Sequence, residues 1–124
     1  MTADQLNHYK NKLDFEMDSW DVNEALGNGE PIMVVDGRSA EAYAQDHIPG
    51  SLSLPHRTIS ADSTASLDRS LTYVCYCDGI GCNASTKTAM KLLTLGFEVR
   101  ELIGGLDWWR RDGYPTEGEG PSPT

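Results

Sequence analysis

Short apolar runs rich in β-branched residues alternate along this chain with stretches that have a helical pattern. This alternation is typical of an α/β domain with a mainly parallel central sheet flanked by helices, and the number of runs predicts about five strands. Two of the runs, Ile32–Val35 and Leu71–Tyr76, are largely apolar, as expected of strands that are covered on both faces. We therefore place these two strands at the centre of the sheet.

The other elements are shorter and have weaker patterns. Further strands are predicted at Ser51–Leu54 and Glu98–Leu102, with an edge strand at Leu13–Glu16. Helix signals, with polar caps before and glycines after, fall between the strands. The predicted helices run from Asp18 or Ser19 to Leu26, from Ala40 to Gln45, from Ala84 to Leu95 and from Leu106 to Asp112.

The distribution of these elements predicts one domain over residues 12–115 of the 124. Residues 1–11 are interpreted as an N-terminal extension. Residues 116–124 contain glycine, proline and glutamate with nothing apolar to bury, so we expect a disordered tail there.

The charge of the chain excludes several classes of partner. There are 10 Lys and Arg against 19 Asp and Glu, which gives a net charge of −9 and argues against binding to a nucleic acid. No apolar run approaches the roughly 20 residues that cross a bilayer, and the N-terminus lacks the order of a signal peptide. We therefore expect a cytoplasmic protein that binds neither nucleic acid nor membrane.

The chemistry of the chain concentrates where the second central strand ends. Cys77 opens a glycine-containing loop over residues 77–83, which leads directly into the strongest predicted helix. In open α/β sheets such loops bind ligands, and their amides can converge on an anion or a thiolate. Cys77 is therefore the candidate nucleophile, whereas Cys75 is interpreted as a buried hydrophobe of the strand.

The cysteines are not arranged for a disulfide framework or a metal site. Cys75, Cys77 and Cys82 are an odd, clustered set, which is a poor framework for a secreted protein. Their Cys-x-Cys-x4-Cys spacing is also unusual for zinc, and no histidine is near in sequence. We predict no metal.

Several motifs in the right order resemble the rhodanese-like family. The first is Val34–Ser39, followed by Tyr43 and by the turn His47–Pro55, with Gly37 in place of the usual Val and Asp46 in place of the usual Gly. The second is Gly104–Trp109, followed by Gly113–Pro115. Together with the loop after Tyr76, the match covers about residues 13 to 115.

The resemblance implies a rhodanese-like three-layer fold and a single-domain sulfurtransferase without a cofactor. In such enzymes a thiolate, here Cys77, takes the outer sulfur of thiosulfate or another sulfane-sulfur donor, holds it as a persulfide and passes it to a thiol or cyanide. The implied partners are thus a small-molecule donor and a thiol acceptor, with any protein acceptor unidentified. The residues expected to bind substrate are Asp78, Gly79, Ile80, Gly81, Cys82, Asn83, Arg38 and Arg57, and those expected to have structural roles beside the site are Asp36 and His47.

The loop departs from the family pattern in ways that leave other functions open. Common members end this loop with an arginine five residues after the cysteine, but here that position is Cys82, the loop is about two residues longer and Asp78 adds a negative charge. These changes weaken the case for efficient use of thiosulfate. The alternatives are a non-catalytic or redox-sensing rhodanese module that uses Cys77 and Cys82, and an arsenate reductase or phosphatase relative.

Overall fold

The computed structural model describes residues 2–120 and contains a five-stranded, all-parallel sheet. Its strands are β1 (Glu16–Met17), β2 (Ile32–Asp36), β3 (Leu52–Ser53), β4 (Thr72–Tyr76) and β5 (Glu98–Leu102). The spatial order is β1-β5-β4-β2-β3, so that β4 is central and β2 is its neighbour. The predicted α/β class and the inner position of these two strands are confirmed.

Within residues 2–120 the chain also forms one short 3-10 helix and five α-helices, of which the first precedes β1 and the last follows β5. They are α1 (Ala3–Phe15), α2 (Ser19–Gly27), α3 (Ala40–Gln45), α4 (Ala84–Thr94) and α5 (Gly105–Arg111), with the 3-10 helix at His56–Thr58. Asp18 caps α2 by accepting the Asp21 amide, and Ser39 caps α3 by accepting the Ala42 amide. The four predicted helices are present with their ends shifted by a residue or so.

The N-terminal segment differs from the prediction. Leu13–Glu16 is wrong as an edge strand, because residues up to Phe15 belong to α1 and the edge strand is Glu16–Met17. The helix also runs across the expected boundary between an extension and a domain at residue 12. Thr2 caps α1 by accepting the Gln5 amide, and Lys12 pairs with Glu16 at the other end.

Side chains that alternate along the inner strands build two hydrophobic clusters, one on each face of the sheet. On one face, Val34 and Val74 pack with Val22 of α2 and with Leu106 and Trp109 of α5. On the other face, the cluster consists of Val35, Leu54, Tyr73, Cys75, Ala89, Leu92 and Phe97, of which Ala89 and Leu92 belong to α4. The sheet is therefore covered on both sides, as the apolar runs of β2 and β4 predict.

Parallel pairing brings the carboxyl ends of β2 and β4 together. Asp36 is in register with Tyr76, and the Gly37 amide donates to the carbonyl oxygen of Tyr76 over 3.0 Å. The segment after β2 thus starts beside the segment that begins with Cys77. Gly37 is needed here because a Cβ would collide with the Thr88 hydroxyl of α4.

The C-terminal segment is more ordered than expected as far as residue 120. Glu117 forms an antiparallel bridge with His47, with reciprocal backbone hydrogen bonds of 2.8 and 2.9 Å. The amides of Glu119 and Gly120 donate to the carbonyls of Ala44 and Gln45. Backbone pairing, rather than apolar burial, holds these residues, and a hydrophobicity pattern does not report it. The expected tail at 121–124 lies outside the described residues.

No helix in residues 2–120 is both long enough and apolar enough to cross a membrane.

Candidate active site

The loop between β4 and α4 is fastened to the start of α5. The Leu106 amide donates to the carbonyl oxygen of Cys77 over 2.9 Å, and the Asp107 amide donates to that of Asp78 over 2.8 Å. Gly105, at φ 59°, lets the two segments approach this closely, because a Cβ there would lie 2.8 Å from the Gly79 nitrogen. The first amides of a helix, which lack partners within it, thus fix the backbone at Cys77 and Asp78.

Cys77 lies beneath this loop and is only 2% exposed. Its Sγ is 3.1 Å from the carbonyl oxygen of Cys82 and 3.6 Å from the hydroxyl oxygen of Ser85 in the first turn of α4. Burial, together with donation of its proton to the Cys82 side chain, raises the pKa of the Cys77 thiol. The amide and hydroxyl of Ser85 only partly offset this rise.

Cys82 is more exposed than Cys77, and its thiolate is better stabilised. Burial opposes its ionisation, but donation from the Cys77 thiol and from the amides of Ala84 and Asp78 lowers the pKa of the Cys82 thiol below its ordinary value. The sequence predicted that the loop amides would surround the Cys77 sulfur. That expectation is corrected, because the amides of Asp78 and Ala84 are directed at Cys82, whereas the amide of Ser85 in α4 is directed at Cys77.

A cleft of about 560 Å³ opens beside the loop. Its walls come from the segment after β2, from the 3-10 helix, and from the loop and the start of α4. The residues that line it are Gly37, Arg38, Ser39, Ala40, Glu41, Ala42, Pro55, His56, Arg57, Thr58, Asp78, Cys82 and Ala84. The cleft thus unites four of the predicted substrate-binding residues: Arg38, Arg57, Asp78 and Cys82.

Arg38 lines this cleft, and its side chain is held in place by several contacts. Its guanidinium contacts the Asp36 carboxylate over 2.7 Å and that of Asp78 over 3.2 Å, and it donates to the carbonyl oxygen of Asp46 over 2.6 Å. Although burial works against the charge, the contact with Asp36 raises the pKa of Arg38, so the guanidinium remains charged. Asp78 therefore neutralises part of the positive charge that faces the cleft.

The other predicted site residues lie farther from the sulfurs or in the loop backbone. The Gly79 carbonyl accepts the Cys82 amide in a turn, while Ile80, Gly81 and Asn83 are exposed along the rest of the loop. His47 stacks on Tyr43, donates from Nδ1–H to the Tyr43 carbonyl oxygen over 2.7 Å, and faces Glu117. These contacts give His47 a structural setting on the C-terminal bridge.

Two residues that the sequence analysis did not single out belong to the site. Ser85 lies against Cys77 and also contacts Glu101 of β5 over 3.3 Å. His56 lines the cleft, and its Nδ1 is buried without a hydrogen-bond partner in the described residues. Burial, followed by the positive charges of Lys91, Lys87 and Arg57, lowers the pKa of His56. The position of Ser85 in the first turn after the loop is a signal that could have identified it.

No group of three or more His, Cys, Asp or Glu side chains within residues 2–120 is arranged to hold a metal ion.

Comparison with known proteins shows the family to which this chain belongs. The model of the rhodanese-like domain matches residues 20–112, three quarters of the chain. This chain belongs to the rhodanese-like family. A thiosulfate sulfurtransferase, GlpE of Pseudomonas fluorescens, is 40% identical over 87 residues, which are 68% of this chain and 75% of that protein. The prediction of a sulfurtransferase is confirmed at the level of the family.

Solved structures give the same result for the fold of this rhodanese-like chain. The BH2092 protein of Bacillus halodurans has a TM-score of 0.89 and is 42% identical, with 93% of this chain and 85% of that one covered. The rhodanese-like domain of the Alr3790 protein from Anabaena sp. has a TM-score of 0.75 and is 29% identical, with 88% and 86% covered. The predicted rhodanese-like fold is confirmed.

Proposed function

We propose that this chain is a sulfurtransferase that carries sulfur as a persulfide on Cys77. The observation that supports this role most directly is the place of the Cys77 sulfur, at the carboxyl end of the central strand and against the Ser85 amide at the start of α4. An amide at a helix N-terminus stabilises a thiolate or a persulfide anion, since both need donors for their negative charge. No metal or organic cofactor takes part.

The donor in this proposal is thiosulfate or another sulfane-sulfur compound. The outer sulfur of thiosulfate is transferred to Cys77: the S–S bond of the donor breaks, sulfite leaves with the electron pair of that bond, and a new S–S bond forms on the Cys77 sulfur. Arg57, Arg38 and His56 line the cleft in which the anion would lie. Because Asp78 is also there and pairs with Arg38, we expect weak use of thiosulfate.

The acceptor completes the cycle by attacking the outer sulfur of the persulfide. A small thiol would leave as a persulfide, or cyanide as thiocyanate, and the Cys77 thiolate would be restored. Both acceptors are small nucleophiles that a cleft of this size admits. The predicted compartment remains the cytoplasm, where reducing conditions keep free thiols such as Cys75, Cys77 and Cys82 reduced.

Mass spectrometry of the purified protein after thiosulfate treatment tests the proposal. We expect one added sulfur atom on the peptide that contains Cys77, removed by dithiothreitol. Cys77→Ser should abolish turnover with cyanide while the far-UV spectrum stays unchanged, whereas Cys75→Ala, which removes a buried thiol of the strand, should retain activity. Full turnover by Cys77→Ser would show that Cys77 is not the carrier.

A second candidate is a redox-sensing module with a reversible Cys77–Cys82 disulfide. The closeness of the two cysteines favours it, since the Cys77 sulfur lies 3.1 Å from the carbonyl oxygen of Cys82. Peptide mapping after mild peroxide would reveal a linked peptide, and over-oxidised Cys77 beside an unmodified Cys82 would exclude the switch. A phosphatase or arsenate reductase is less well supported, since the loop has Cys82 where an arginine would hold a tetrahedral anion.

A further inference from the structure

Only one of the two loop thiols can meet a donor that enters the cleft. Cys82 is part of the cleft wall, together with Arg38 and Arg57, whereas Cys77 is 2% exposed and lies behind it. Displacement at sulfur is an in-line reaction, so direct loading of Cys77 requires a tetrahedral sulfite group to line up with a buried sulfur. The amides of Leu106 and Asp107 also fix the backbone at Cys77 and Asp78.

We propose that Cys82 takes the sulfur from the donor and passes it to Cys77, so that the loop is a two-thiol relay. This inference rests on the proposed function, because it presupposes a persulfide on Cys77. It adds a second catalytic cysteine, at the position where this chain departs from the loop arginine.

The first step takes place in the cleft. The Cys82 thiolate forms a bond to the outer sulfur of thiosulfate, the S–S bond of the donor breaks, and sulfite departs with the bonding electrons. Cys82 then carries a persulfide anion, and no oxidant or reductant is consumed. The Ala84 and Asp78 amides, directed at the Cys82 sulfur, stabilise the attacking thiolate.

The second step moves the sulfur inward. The Cys77 sulfur bonds to the outer sulfur of the Cys82 persulfide, the bond between that sulfur and Cys82 breaks, and its electron pair stays on Cys82. The proton of the Cys77 thiol, whose sulfur lies 3.1 Å from the carbonyl oxygen of Cys82, passes to the Cys82 sulfur. Cys77 thus holds the persulfide anion beside the Ser85 amide, and Cys82 is a thiol again.

Release of the sulfur has smaller steric needs than loading. A persulfide adds one S–S bond of about 2 Å to Cys77, which carries the outer sulfur towards the cleft side of the loop. Cyanide is linear and a thiol presents a single sulfur, so neither must place a tetrahedral group in line with the buried atom. The relay is therefore required for a bulky donor and dispensable for a small acceptor.

Two donors of different size separate these steps. In Cys82→Ser, we expect loading of Cys77 by thiosulfate in a single turnover to slow by about tenfold or more, while loading by disulfane, whose leaving group is hydrosulfide, changes by less than about threefold. In Cys77→Ser, one thiosulfate turnover should leave the added sulfur on the Cys82 peptide. Cys82→Ala repeats the first arm without a hydroxyl, Cys75→Ala controls for loss of a thiol, and circular dichroism checks that each variant is folded.

The outcomes distinguish the relay from the proposed function. Loading of Cys77 in Cys82→Ser by thiosulfate at the wild-type rate overturns the relay and leaves the Cys77 persulfide intact. A Cys77–Cys82 disulfide with release of hydrosulfide, in place of a Cys77 persulfide, also overturns it. Absence of added sulfur on both cysteines of the wild type, with either donor, overturns the proposed function itself.

Discussion

The Asp36 carboxylate accepts both the backbone amide and the guanidinium of Arg38, two residues farther along the chain. The amide donates over 2.9 Å, and Nε and Nη2 donate over 3.0 and 2.7 Å. Asp36 is fully buried and the Arg38 side chain is 9% exposed, so this ion pair is shielded from water. It sets the direction of the chain where it leaves β2 and enters the cleft wall.

Breaking this pair should be strongly destabilising. Asp36→Asn leaves the buried charge of Arg38 without its partner, and we expect the free energy of unfolding to fall by about 3 to 5 kcal/mol. Urea denaturation measures it. Asp62→Asn, at an exposed position, is the matched control and should change little. A loss below about 1 kcal/mol would mean that Asp78 and the carbonyl contacts suffice to hold Arg38.

Charge at residue 78 should govern the affinity for thiosulfate. Asp78→Asn removes a negative charge and releases the guanidinium of Arg38 towards the cleft, while Asp78→Arg adds a positive charge. We expect the KM for thiosulfate to fall about two- to fivefold with Asn, as for loss of an exposed charge interaction, and further with Arg. Steady-state kinetics with cyanide provides the measurement, and Asp62→Arg controls for net charge. An unchanged or higher KM would place the anion away from residue 78.

The pH dependence of alkylation should reveal the hydrogen bond between the thiols. Only the thiolate reacts, and donation from Cys77 lowers the pKa of Cys82, so wild-type Cys82 should react with iodoacetamide with a midpoint below that of an ordinary cysteine. Cys77→Ala removes the donor, which disfavours the thiolate and moves the midpoint to higher pH. Cys77→Ser keeps a donor and should shift it less. Identical midpoints in all three proteins would argue against the contact.

Gly105 should be irreplaceable where α5 meets the loop. Alanine there combines a positive φ with contacts of 2.8 Å to the Gly79 nitrogen and 3.0 Å to the Asp78 carbonyl carbon. We expect Gly105→Ala to lower the free energy of unfolding by roughly 2 to 5 kcal/mol and to reduce turnover, because the loop backbone must shift. Gly113→Ala has a positive φ but open space, and should lose only about 1 to 2 kcal/mol with normal activity. Equal effects of the two changes would show that φ alone matters.

Cys75 should contribute to stability rather than to catalysis. Its sulfur is buried in the cluster with Val35 and Leu92, where burial above all, and the charge of Glu101, raise the pKa of the thiol. We expect Cys75→Ser to lower the free energy of unfolding by about 1 to 3 kcal/mol, because the serine hydroxyl would be buried and would lose its hydrogen bonds to water. Cys75→Ala should be milder, and both folded variants should transfer sulfur. If Cys75→Ser is stable but inactive, the catalytic cysteine is Cys75 and not Cys77.

Burial on both faces made the inner strands readable from the sequence, since Val34, Val35 and Val74 leave no polar face. Helix α1 was missed for the opposite reason. None of its side chains is buried, so Leu6, Tyr9 and Leu13 do not mark a core face. Its N-cap, Thr2, and the basic Lys12 in its last turn are signals too weak to predict a helix alone.

The site was only partly readable because its decisive contacts are long-range. The sequence identifies the loop and its thiols, but which thiol faces the cleft depends on amides from α5 that lie about thirty residues away. The role of His56 likewise depends on Lys91 of α4, whose ammonium donates to the His56 carbonyl over 2.6 Å. Hydrophobic periodicity contains no information on such pairs.

Within residues 2–120, neither hydrophobic cluster takes a member from segment 78–83. Residues can therefore be inserted into this segment, or a cysteine can replace an arginine there, without loss of core packing. New reactivity then evolves at little risk to the scaffold. The same separation should allow the segment to be transplanted between relatives, with the preference for a sulfur donor travelling along with it.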